Sequence, residues 1–139
     1  MTDQSFRFST SIAIRFRDLD AFGHVNNAVY FTYMEMTRVA YFRHIGLVQD
    51  DFPSPFFIIA EATCQFKVPI LMKAALAIKA RVSRLGNASF DIEYEFVDTT
   101  TDQVMATGRT VQVMFDYAEQ RSVPIPDDWR MAMSTFEGL

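Results

Sequence analysis

The first clear pattern in the chain is "SIAIRFRD", where Ile12, Ile14 and Phe16 alternate with Ala13, Arg15 and Arg17. A period of two predicts a half-buried strand, with Asp18 solvated at its end. The pattern then changes at once. "NNAVYFTYMEMTRVAYFRHIG", Asn26 to Gly46, is too long for a strand, and Glu35 and Arg38 stand at helical i,i+3 spacing. An asparagine can cap its start and Gly46 can end it. From Val29 to Ile45 apolar side chains point almost all round this helix, leaving a narrow polar stripe near Thr32, Glu35 and Arg38. A surface helix shows a broad polar face, so this one is predicted to be enclosed.

Four strand-like runs follow the proline-containing loop "QDDFPSP": "FFIIAEATCQFKV", "AALAIKARVSRL", "SFDIEYEFVD" and "VMATGRTVQVMF". Gly86-Asn87 and "TTTDQ" mark turns, and Gly108, where the alternation changes phase, suggests a bulge. In the third run Phe90, Ile92, Tyr94 and Phe96 oppose Asp91, Glu93 and Glu95. The tail over 116–139 has little periodicity and is predicted to be a partly ordered extension carrying Trp129. The sum is one α+β domain over 1–139, an antiparallel five-stranded sheet wrapped around a long central helix. Such a sheet leaves edges open. Pairing with a second copy covers one of them, so self-association is expected on physical grounds.

Composition narrows the function classes. Half of the 139 residues are apolar, enough for a real core, and no apolar run approaches the ~20 residues a membrane helix needs. A net charge of −4 argues against nucleic acid as the main partner. Cys64 is the single cysteine, so an internal disulfide is excluded and a reducing cytoplasm is the expected setting. Within a strand-like run it reads as a packed thiol rather than a nucleophile. His24 and His44 are the only histidines and stand far apart, so no metal site is expected.

The chemistry concentrates in "DLDAFGHVNNAVY", between first strand and helix. Asp20 precedes the helix, with Gly23 allowing a tight turn between them. The first N–H groups of a helix lack internal partners and carry partial positive charge, so they can hold a developing oxyanion. Asp20 and the amides near Asn26 and Asn27 could therefore form two halves of an acyl-transfer site. The carboxylate would attack a carbonyl carbon or deprotonate a water that does. Locally, ordinary helix capping by aspartate and asparagine explains the same residues.

The arrangement Asp20-x-x-Gly23-His24-Val25-Asn26-Asn27-Ala28-x-Tyr30, set between a strand and a long apolar helix, resembles the hotdog-fold acyl-CoA thioesterases. More narrowly it resembles the 4-hydroxybenzoyl-CoA thioesterase-like group, which includes bacterial long-chain acyl-CoA thioesterases. The resemblance runs through the first strand, the helix and the next strand pair with Pro69 between, and stops before Asp116. It implies that Asp20 is the catalytic carboxylate and that a helix-start amide near Asn27 binds the thioester oxygen. His24 would bond the thioester or orient water. Related plant acyl-carrier-protein thioesterases keep that histidine but carry an asparagine where this chain has Phe22 and a glutamate near Pro69, which leaves Asp20 as the main candidate.

On this reading Gly23, Val25, Asn26, Tyr30, Tyr33 and Met34 form the substrate surround. Glu61 and Thr63, on one strand face, are expected to add a polar pair facing the helix start. Lys67, Lys73, Arg81 and Arg84 are candidates for the coenzyme A phosphates. No cofactor is expected, since coenzyme A is part of the substrate, and the partners are acyl-CoA and the chain itself, as a homodimer or a homotetramer. Three alternatives remain open: a non-catalytic acyl-CoA-binding or regulatory module, a thioesterase acting on acyl carrier protein, and a dehydratase or hydratase. The last pairs a histidine and a carboxylate in a different sequence setting.

Overall fold

The computed structural model describes residues 5–48 and 56–139; the loop "QDDFPSP" and the first four residues lie outside the described residues. Alternation decides strand β4 (Ser89–Asp98), whose Phe90, Ile92, Tyr94 and Phe96 are buried while Asp91, Glu93 and Glu95 point the other way. Four further strands flank it: β1 (Phe8–Ser11), β2 (Phe56–Phe66), β3 (Leu76–Leu85) and β5 (Gln103–Asp116). All pairings are antiparallel in the order β1-β3-β4-β5-β2, and a two-residue strand β6 (Arg121–Ser122) adds to the end of β5. Helix α1 (Val29–His44) lies across the inner face and buries Tyr30, Tyr33, Met34, Tyr41 and Phe42. Each such side chain contributes roughly 1.5–3 kcal/mol by leaving water. This is the helix wrapped by a sheet that the pattern predicted.

Four local expectations are corrected. The first strand is Phe8–Ser11, not the alternating run after it: Ser11 pairs with Ala77, and Ile12 donates its N–H to Leu76 O at 3.0 Å, where β3 begins. Between Ile12 and Phe16 the chain has no ladder partner among the described residues, and it runs on into a 3-10 turn over Phe16–Asp18, which leaves Phe16 exposed and Asp18 buried. Arg38 is not on a polar stripe. It turns inward and donates to the Tyr94 hydroxyl at 3.3 Å, while Phe31 and Met36 remain exposed. Tyr94 continues the buried chain through Thr110 to Gln112, whose amide donates to Phe90 O.

Gly108 stays in register with both Cys64 and Tyr94, and the bulge in β5 falls at Met105, between Val104 and Ala106. Glycine serves close packing here, because a Cβ at 108 would run into the Met34 methyl and stand 3.1 Å from the Thr63 carbonyl oxygen. Finally, the tail contains helix α2 (Asp127–Glu137), which ends on Gly138 in the left-handed region. It buries Trp129 and Met133, and the Glu137 carboxylate accepts the Tyr41 hydroxyl at 2.6 Å and the Val82 N–H at 2.9 Å. Val82 lies at an irregularity of β3, so Glu137 supplies a partner there.

The long edge of the sheet is β2, which among the described residues pairs with β5 alone. Ile59 and Phe66 on it are exposed. Among the described residues no helix is long and apolar enough to cross a membrane.

Candidate active site

The segment between the 3-10 turn and α1 folds into a closed loop. Asp18 O accepts the Asn26 N–H at 2.9 Å, Leu19 bridges Val25, and the Asp20 N–H donates to His24 O at 2.8 Å. Gly23 stands at φ +81° and donates to Asp20 O, a conformation that favours glycine at the turn. A second loop holds the first: Val25 donates its N–H to Ile70 O, and His24 bridges Leu71.

Asp20 uses one oxygen for this turn. Its Oδ1 accepts the N–H groups of Phe22 at 2.9 Å and His24 at 3.3 Å, and Oδ2 has no partner among the described residues. At the helix entry, Asn26 Oδ1 accepts the Ala28 N–H and Asn26 O accepts that of Val29. The N–H just before them in sequence, that of Asn27, bonds to nothing among the described residues. Helix-start donors are normally satisfied by side chains or water, so an open one is a ready site for an oxygen.

Asp20 and Asn27 both line one cleft of about 420 Å³, with His24, Val25 and Tyr30 on the loop and helix side and Phe66, Lys67, Val68 and Pro69 on the strand side. Tyr30 is almost fully buried, edge-on to Phe66 at 4.8 Å, and burial pushes its hydroxyl above the ordinary range, so it stays neutral. The cleft thus offers an ionisable oxygen, an open amide, an imidazole, one lysine and an aromatic wall.

The remaining candidates separate from this group. Tyr33 and Met34 are packed into the core: the Tyr33 hydroxyl donates to Asp18 at 2.6 Å, and Met34 lies over Gly108. Glu61 and Thr63 do not face the helix start. The register pairs Thr63 with Arg109 and Arg109 with Glu93 on the outer face, where Arg109 also holds Glu61 at 2.8 Å. Of the four cations only Lys67 reaches the cleft. Arg81 and Arg84 lie on the outer face, paired with Glu93 and Asp91, and Lys73 is exposed in the β2–β3 loop. Burial raises the Cys64 thiol to about 11, which suits a packed thiol and not a nucleophile.

Sequence reasoning missed the wall residues Phe66 and Val68, for which apolar residues at a strand end were the only signal. It also misread Asp18, which is buried and not solvated. Its carboxylate accepts the Arg15 N–H and guanidinium and the Tyr33 hydroxyl. Burial alone would raise its pKa, but the Arg15 side chain, Tyr33 and the Arg15 backbone outweigh that and hold it near 2.

Comparison with known proteins adds the context. The family model of the thioesterase-like superfamily matches residues 14–133. A thioesterase of Thermus thermophilus, solved in complex with coenzyme A and zinc, is 30% identical, with a TM-score of 0.83 over 96% of this chain and 97% of its own. A gentisyl-coenzyme A thioesterase is 28% identical, with a TM-score of 0.76 over 91% of this chain and 99% of its own. The chloroplastic acyl-acyl carrier protein thioesterase ATL3 of Arabidopsis thaliana is 27% identical over 86% of this chain, which spans 63% of that protein. With a matching family model over most of its length and the fold of solved thioesterases, this chain belongs to the thioesterase-like superfamily and is a thioester hydrolase.

Proposed function

We propose that this protein hydrolyses acyl-CoA thioesters to the free carboxylic acid and coenzyme A. The observation that carries the reading is that Asp20, with Oδ2 open, and Asn27, with its N–H unpartnered among the described residues, line one cleft. The amide holds the thioester oxygen as negative charge develops on it. Asp20 Oδ2 then either adds to the carbonyl carbon or takes a proton from a water that adds. Collapse of the tetrahedral adduct breaks the C–S bond, and the departing thiolate takes up a proton. If Asp20 adds, a mixed anhydride remains, and the one water of the reaction then cleaves it to the free acid and restores the carboxylate. His24, at the cleft with no ring hydrogen bond among the described residues, bonds the thioester or orients that water. Lys67 meets a phosphate at the mouth. No cofactor is needed in this scheme beyond the coenzyme A of the substrate.

The test is thiol release from an ester panel running from acetyl- to palmitoyl-CoA, with benzoyl- and hydroxybenzoyl-CoA included. Asp20→Asn and Asp20→Ala are expected to lose at least about a hundredfold in turnover while staying folded, as befits removal of a reacting group. Near-normal hydrolysis by folded Asp20→Ala would overturn the assignment, and binding of acyl-CoA without thiol release would favour a non-catalytic module.

The likeness to ATL3 supports one second reading, hydrolysis of acyl groups from acyl carrier protein. Phe22 and Pro69, where the plant enzymes carry asparagine and glutamate, weigh against it. A higher kcat/KM on acyl carrier protein than on the matched acyl-CoA would select it.

We further propose that two copies join along the free β2 edge, which would cover the exposed Ile59. Static light scattering should then give the mass of two chains or of four, and a one-chain mass at micromolar concentration would reject the pairing. The single cysteine fits a cytoplasmic setting.

A further inference from the structure

We propose that Asp18, two residues from Asp20, is a positioning residue for this site, setting the Asn26–Asn27 peptide against the Asp20 turn. The inference rests on the reading that the Asn27 N–H binds the thioester oxygen.

The loop that carries Asp20 leaves the protein body at Asp18 and returns at Asn26, and the Asp18 O to Asn26 N–H bond of 2.9 Å closes its base. The next N–H in the chain is the open one of Asn27. Anything that moves the Asp18 carbonyl therefore moves that amide. The Asp18 side chain fixes the carbonyl from two sides. Arg15 donates through its backbone N–H at 3.0 Å and through Nη2 at 3.0 Å, which holds the 3-10 turn, and Tyr33 donates from within α1 at 2.6 Å.

Arg15 alone would suffice to staple a turn. The Tyr33 bond does something different, because Tyr33 stands one turn into α1 and ties the loop base to the helix. On the other side Asn26 O accepts the Val29 N–H at 2.8 Å. The Asn26–Asn27 peptide is thus clamped between Asp18 and the first turn of α1. Asp18 and Tyr33 are each buried at 1–2% exposure. A buried ion must keep its partners, so the clamp has one low-energy arrangement. Displacements of about 1 Å in such a frame cost of the order of a hundredfold in rate when complete, and proportionately less when partial.

The experiment compares wild type, Asp18→Asn and Tyr33→Phe by two measurements. In amide hydrogen exchange, the Asn26 N–H is expected to exchange roughly tenfold faster in both variants while that of Ile92 in β4 keeps its wild-type rate. In thiol release measured well below the melting temperature, kcat is expected to fall about tenfold with KM within about twofold, the pattern of a group acting on the transition state. A lower melting temperature with unchanged kcat, or unchanged Asn26 exchange, would overturn the inference and leave Asp18 a structural staple. Should Asp18→Asn fail to fold, Tyr33→Phe decides alone, since it keeps the charge and removes a single bond. A wild type inactive on every ester would end the proposed function instead, and the Asn26 exchange would still decide whether Asp18 sets the peptide.

Discussion

The two ends of helix α1 are built to opposite plans. At its far end the buried polar groups are partnered: Glu137 takes the Tyr41 hydroxyl and the Val82 N–H, and Trp129 packs against Phe42 at 5.2 Å and Phe57 at 6.2 Å. At its start, Asp20 keeps one oxygen open, and Asn27, which lines the same cleft, has an N–H without a partner among the described residues. Buried polar groups are normally satisfied, as they are at the first end, whereas at the second Asp20 is half-buried and Asn27 exposed, so an oxygen from outside can reach both. The same contrast is compressed into two residues. Asp18 is buried with its carboxylate partnered from two residues, and Asp20, two positions on, is held by one oxygen only.

The contrast is sharpest where stability and turnover come apart. Trp129→Ala is expected to cost about 3–5 kcal/mol in denaturant unfolding, the range for emptying a buried aromatic site, while the folded fraction keeps its turnover. Asp20→Asn, which keeps an oxygen for the turn, should do the reverse. A hundredfold loss of turnover is ~2.7 kcal/mol in the barrier, set against a stability change within about 0.5 kcal/mol. If both variants changed stability and turnover together, the two ends would not be separate in function.

A smaller effect concerns acid. The Asp18 carboxyl is held below its unfolded value, at about 2, so its contribution to stability is complete above about pH 4 and is lost as pH falls from there towards 2. Asp18→Asn should therefore flatten the fall of melting temperature between about pH 4 and 2, and a wild-type slope in that variant would contradict the burial and pairing assigned to Asp18.

Much of this was legible before the structure. Strand β4 occupies the residues its alternation marks, because both of its neighbours pair along its length and one face meets the helix. The run "SIAIRFRD" alternates as well, yet becomes a strand only up to Ser11, because β3 begins at Leu76 and offers nothing further to pair with. Alternation shows what a segment could bury; a ladder also needs a neighbour. Helix α2 was legible in principle. Asp127 and Asp128 lie in its first turn, Gly138 follows its end, and Trp129 and Met133 lie four apart, but the two prolines before it masked the pattern.

Residue order alone determined the central helix, the strand succession and the placing of Asp20, Gly23, His24 and Asn27 at one helix start, because these depend on periodicity and local turn chemistry over short stretches. Which side chains meet was decided only in three dimensions. Tertiary packing turned Arg38 towards Tyr94, sent Glu61 and Thr63 to the outer face, buried Asp18 against Tyr33 and brought Phe66 and Lys67 to the cleft. The physical reason is that register and close packing couple positions far apart in the chain. A carboxylate reads the same in sequence whether it is pinned by an arginine and a tyrosine or left with an oxygen to spare.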